Sequence, residues 1–190
     1  KFQPKPGIVE GMHDEKTLVS GCAKGDRAMQ KALYDQYAAR MLTVCMRYSK
    51  SREDAEDILQ EAFVKVFNKI DSFRKESSLG YWIKRIVINT ALNYHRKSVY
   101  LYPHFDIDDM HQLGDDEVLV SDYNYRDLLK LLQTLPQGCQ VIFNLYAVEG
   151  YKHKEIAEIL NISEGTSKSQ YARAKSLIKD MITETGEVKH

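Results

Sequence analysis

The sequence predicts an all-α protein of two small helical domains joined by a flexible acidic linker. Three observations predict it. Apolar residues return at i, i+3, i+4 and i+7 through successive stretches on both sides of the chain's middle, the spacing of helices that each bury one stripe. Residues 98–124 break that rhythm: Asp106, Asp108, Asp109, Asp115, Asp116, Glu117 and Asp122 stand there without a Lys or Arg, beside Pro103 and Gly114. An acidic stretch of this kind reads as a linker, mobile unless a basic surface holds it. Third, a short helix, a tight turn at Asn161-Ile162 and a long helix capped by Ser163 follow one another near the end of the chain. The expected division is residues 14–97, linker 98–124, residues 125–183 and a tail, 184–190, within 190 residues that suffice for two modest cores. Residues 1–11 carry two prolines and no periodicity, and read as a leader or an expression remnant.

Composition excludes more than it identifies. Lys+Arg and Asp+Glu are both 27, so bulk charge points to no partner and only its distribution informs. Three cysteines, Cys22, Cys45 and Cys139, form no CxxC pair and no disulfide framework, which fits a reducing compartment. No apolar run approaches the roughly 20 residues of a membrane span, so the expected location is cytoplasmic. Phosphate loops, nucleophile elbows and zinc-binding HExxH motifs are absent, and the six histidines are scattered. The expectation is therefore no enzyme, with no catalytic residues, metal or cofactor.

Taken in order, a short helix from Asp14 ends at the Gly21 to Gly25 punctuation, and Asp26 caps a longer one carrying Leu33, Tyr34, Tyr37, Met41, Leu42, Cys45 and Tyr48 at helical spacing. Ser51 opens the next helix, whose stripe is Ala55, Ile58, Leu59, Ala62, Phe63, Val66, Phe67 and Ile70; it should pack antiparallel on its predecessor, because the connection is short. Asp54, Asp57 and Glu61 cluster away from that stripe. They suit either a capped, solvated face or an anionic docking strip.

Residues 71–80 are polar and read as a loop, and Ser77 or Ser78 caps the following helix, apolar over much of its circumference. Residues 73–97 hold Arg74, Lys75, Lys84, Arg85, Arg96 and Lys97 against Glu76 alone, beside Phe73, Tyr81, Trp82 and Tyr94. Cations among rings suit an unpaired nucleic acid strand, each base stack contributing roughly 1–3 kcal/mol. Taken singly, Trp82 is equally well a core residue.

Beyond the linker, leucines 128 to 135 lead to Pro136, and a helix through Val141, Ile142, Leu145 and Tyr146 ends near Gly150. The two helices that follow have the order of a helix-turn-helix unit, the second bearing Thr166, Lys168, Ser169, Arg173 and Lys175.

Together these stretches resemble the extracytoplasmic-function sigma factors of bacteria. EDAEDILQEAFVKVF looks like that family's polymerase-clamp helix, SLGYWIKRIVINTALNYHRK its promoter-melting helix, and residues 135–179 its region-four helix-turn-helix. The resemblance implies that Asp54, Asp57, Gln60 and Glu61 face the β′ coiled coil of core RNA polymerase. It implies that Phe73, Arg74, Lys75, Ser77, Trp82, Lys84, Arg85 and Asn89 meet the opened strand of the minus-ten promoter element. Thr166, Lys168, Ser169, Arg173 and Lys175 would meet duplex promoter DNA at minus thirty-five, with His153 and Lys154 on phosphates. An anti-sigma factor is an implied further partner. Ser167, Gln170 and Tyr171 depart from the family's pattern, and Gly80, just before Tyr81-Trp82, is read as loosening the melting loop. The competing reading is a helix-turn-helix regulator whose N-terminal helices bind a partner or dimerise.

Overall fold

A computed structural model describes residues 13–96 and 125–187; the expectations for residues 1–11 and the acidic linker lie outside the described residues. Local chemistry starts the N-terminal helices. Asp14 accepts the Thr17 N–H at 3.0 Å and opens α1 (Glu15–Ala23), and Asp26 accepts the Ala28 N–H at 2.8 Å and opens α2 (Arg27–Tyr48). Ser51 accepts the Asp54 N–H at 3.1 Å and opens α3 (Arg52–Lys69). Each side chain satisfies a backbone donor that has no partner within its helix.

Only residues 49–51 connect α2 to α3, so the two run antiparallel, and the Tyr34 and Phe63 rings meet edge-on with centroids 4.8 Å apart. A 3₁₀ turn (Ile70–Ser72) and an exposed loop lead to α4 (Leu79–Arg96). The start of α4 is held twice, by Ser78 Oγ accepting the Tyr81 N–H at 3.3 Å and by Glu15 Oε2 accepting the Leu79 N–H at 3.3 Å. Gly80 lies inside α4, not in the loop: a Cβ there would stand 3.1 Å from the Tyr37 ring, so the glycine permits close helix packing and does not loosen the segment. Leu33, Ile58, Ala62, Val66, Leu79, Ile83 and Val87 fill the space among α2, α3 and α4. Each large apolar side chain buried in this way contributes about 1.5–3 kcal/mol. All three cysteines are buried, and burial pushes the Cys45 thiol up to about 12.

The C-terminal unit comprises α5 (Tyr125–Thr134), α6 (Gln137–Phe143), a π-helical continuation (Asn144–Val148), α7 (His153–Leu160) and α8 (Glu164–Glu187). Gly150 at φ +79 ends the wide turn, and Asn161 at φ 55 makes the left-handed corner between α7 and α8. Leu132, Leu135, Cys139, Phe143, Ala174 and Ile178 form an apolar cluster within the unit. Val141, Ile142, Leu145, Ile156 and Leu160 instead continue the core of the N-terminal bundle.

The polar part of that seam lies at the end of α2. Gln140 Nε2 donates to the carbonyls of Arg47 at 3.0 Å and Ser49 at 3.3 Å, and Asn144 Nδ2 donates to Arg47 O at 2.7 Å. Gln137 reaches Tyr48 O at 3.2 Å, Gln133 reaches Met46 O at 3.3 Å, and Lys50 Nζ reaches the Gln133 and Leu135 carbonyls. The last carbonyls of α2 have no partner within their own helix, and amide side chains supply it.

Candidate functional site

The acids of α3 gather on one surface. Asp57 and Gln60 are exposed, and Asp54 and Glu61 are half-buried. Asp54 Oδ1 accepts the Tyr94 hydroxyl of α4 at 3.2 Å, and Glu61 pairs with Lys65 at 2.7 Å. Loss of water raises the Tyr94 phenol pKa, and so do the Asp54 bond and the charges of Asp54, Asp57 and Glu61. The strip is thus shared with the last turns of α4. Val64, 59 % exposed, lies on the same helix three residues beyond Glu61. Neither Tyr94 nor Val64 was identifiable as part of this surface from helical spacing alone.

Beside α4, the loop presents Arg74, Lys75 and Ser77 to solvent, turned by the left-handed Lys75 at φ 60. Arg85 and Asn89 are exposed on the helix, and Trp82 is half-buried. Phe73 is different from expectation. It is buried, with its ring 5.5 Å from that of Trp82, so it supports the tryptophan from within and is not placed to meet a strand. Tyr81, 55 % exposed, offers the free ring instead. Lys84 pairs with Glu149 of the C-terminal unit at 2.5 Å, an ion pair between residues far apart in sequence.

On α8, Lys168 is exposed and paired with Glu164 at 2.7 Å, which lowers the Glu164 carboxyl pKa. Thr166 donates its N–H to Ser163 at 2.9 Å, and Ser169 donates to Thr166 O at 3.1 Å, so both hydroxyl residues also serve the helix start. Arg173 is half-buried; Lys175 stands over the Tyr171 ring, 5.3 Å from its centroid. Lys154 is exposed, but His153 is half-buried: its Nδ1 lies 2.9 Å from Ser167 Oγ, and its ring stacks on Tyr146 at 4.3 Å. Burial, then the Lys168 charge, holds the imidazole below its ordinary pKa. Ser167 and Gln170 face inward, Gln170 Oε1 accepting the Cys139 thiol at 3.0 Å. The polar residues that depart from the expected pattern therefore belong to the unit's interior.

These surfaces coincide with recognisable sequence families. Residues 33–99 match Sigma-70 region 2, and residues 125–178 match Sigma-70, region 4. The ECF RNA polymerase sigma-E factor of Haemophilus influenzae is 30% identical over 181 residues, covering 88% of this chain and 95% of that protein. The chain belongs to the extracytoplasmic-function sigma factors.

This sigma factor is also 28% identical over 180 residues to the ECF RNA polymerase sigma-E factor of Escherichia coli K12, covering 88% of this chain and 94% of that one. Among solved structures, the sigma factor RpoE in complex with the anti-sigma factor NepR from Bartonella quintana shares its fold, with TM-score 0.51 and 21% identity, over 80% of this chain and 96% of that one. Its function is that of an RNA polymerase sigma factor, and the fold is all-α with regions 2 and 4 as its two domains. Among the described residues, no helix is long and apolar enough to cross a membrane, and no group of three or more His, Cys, Asp or Glu is arranged to hold a metal ion.

Proposed function

We propose that this sigma factor docks on the β′ coiled coil of core polymerase through Asp54, Asp57, Gln60 and Glu61. It then captures the opened minus-ten strand with Arg74, Lys75, Ser77, Trp82, Lys84, Arg85 and Asn89. Phe73 acts from below, by propping Trp82. Thr166, Lys168, Ser169, Arg173 and Lys175 meet the duplex further upstream, Lys154 and His153 adding phosphate contacts. The chemistry is recognition without bond-making: captured bases offset the few kcal/mol per step that unpairing costs, and phosphates supply most of the salt-dependent affinity. The carrying observation is the shared α3–α4 surface, on which the anions of α3 adjoin a helix that also presents Tyr81, Arg85 and Asn89 to solvent.

The test is Asp57→Lys combined with Glu61→Lys. Copurification with core polymerase should be lost while binding of the isolated chain to DNA persists; retained copurification would remove the strip from the account. A helix-turn-helix regulator with a dimerising N-terminal module is not favoured, because region 2 is present as well as region 4. An anti-sigma partner is supported by the solved relative, which was crystallised with one. Pull-down from the native cell should recover such a protein; recovery of polymerase alone under all conditions would count against it.

A further inference from the structure

Glu149 sits at the end of the π-helical turn, its N–H bonded to Asn144 O at 2.9 Å and the following Tyr151 N–H bonded to Leu145 O at 2.9 Å, so its backbone is fixed. Its side chain is only 5% exposed and spans two cations of the other domain, Oε1 to Arg47 Nη2 at 2.7 Å and Oε2 to Lys84 Nζ at 2.5 Å. One oxygen on a planar guanidinium and the other on an ammonium is also how a phosphodiester would be held. Arg47 is itself 14% exposed, and its Nε is buried without a partner, so the guanidinium has donor capacity the carboxylate does not use. Nearby, Gln140 Oε1, Asn144 Oδ1 and Tyr48 Oη are buried and unpartnered, so the polar seam around the pair is incompletely satisfied.

We propose that Arg47 and Lys84 form a phosphate-binding pair on region 2, and that Glu149 of region 4 occupies it in place of a nucleic acid phosphate when the two domains are closed on each other. This deepens the single-strand reading above and rests on it: Lys84 belongs to that set, Arg47 extends it, and Glu149 competes with the strand. Because the carboxylate is tethered, it meets the cations at high effective concentration, and strand binding is reduced by the fraction of closed chains.

The experiment uses the full chain and a fluorescein-labelled single-stranded oligonucleotide at low salt, read by anisotropy. Glu149→Gln should bind the strand about fivefold tighter or more, the gain expected when a competing state is depopulated. Adding Arg47→Gln should abolish that gain. Glu53→Gln, on an exposed acid at the start of α3, removes the same charge elsewhere and should leave affinity within about twofold, the scale of one screened surface charge. Should Glu149→Gln lose helicity by circular dichroism, Glu149→Asp, too short to span both cations, should give a gain of the same sign. Equal affinity for wild type and either folded Glu149 variant, or a gain matched by Glu53→Gln, overturns the proposal. If Trp82→Ala still weakens binding in that case, the single-strand reading survives alone; if it too has no effect, both fall.

Discussion

The two domains bury different chemistry. In region 2 the interior among α2, α3 and α4 is almost wholly apolar, with Ile58, Ile83 and Val87 excluded from solvent. In region 4 the buried set includes Gln140, Asn144, Ser167 and Gln170. Two of these amides complete the end of α2, and the other two polar groups knit α6, α7 and α8 to one another. An apolar core needs only volume and exclusion of water, whereas a buried amide needs a particular partner in a particular place. Region 2 is accordingly specified by its own stripe pattern, and region 4 in part by what it touches.

Substitutions in each interior sharpen the contrast. Ile83→Ala, at a fully buried site, should cost about 2–5 kcal/mol in chemical denaturation, the range for large-to-small core changes. Gln140→Leu keeps the bulk but leaves the Arg47 and Ser49 carbonyls without that donor, and should cost about 1–3 kcal/mol, with the loss falling on the seam between domains. A Gln140→Leu chain as stable as wild type within about 0.5 kcal/mol would argue that packing, and not the donated hydrogen bonds, matters there. Ser51→Ala removes the α3 cap at a cost of about 1 kcal/mol, read as a shift of the urea midpoint.

The pH dependence separates the domains again. The His153 pKa is lowered in the folded chain, so folding favours the neutral ring; its contribution is present above the ordinary value of 6.5 and is lost as pH falls below it. Acidification should therefore loosen region 4 first, and His153→Gln should flatten that part of the stability profile. An unchanged profile would exclude the imidazole as its source. The smallest effect belongs to the exposed Lys31–Asp35 pair: Lys31→Ala should change stability by no more than about 0.5 kcal/mol.

Much of this was legible because it is local. Asp26, Ser51 and Ser163 lie within three residues of the donors they satisfy, so the helix starts followed from spacing, and the stripe of α3 became its buried face. The anions of α3 fell where a 100° step puts them, away from the buried stripe. What was not legible depends on partners distant in sequence. Nothing local distinguishes Phe73 beneath Trp82 from a ring on the surface, or Lys84 bound to Glu149 from a solvated lysine. Nothing local shows that Ser167 and Gln170, which depart from the family's pattern, turn inward, because their partners His153 of α7 and Cys139 of α6 lie in separate segments. The π-helical turn has no period of its own to announce it.

The most direct measurement is transcription by purified core polymerase, free of sigma factor, on a library of promoter sequences with start sites mapped. With this chain added, initiation should concentrate at a defined subset of templates, and Trp82→Ala should reduce opening at those sites far more than closed-complex binding. Unselective or absent initiation on every template would contradict the account at its centre.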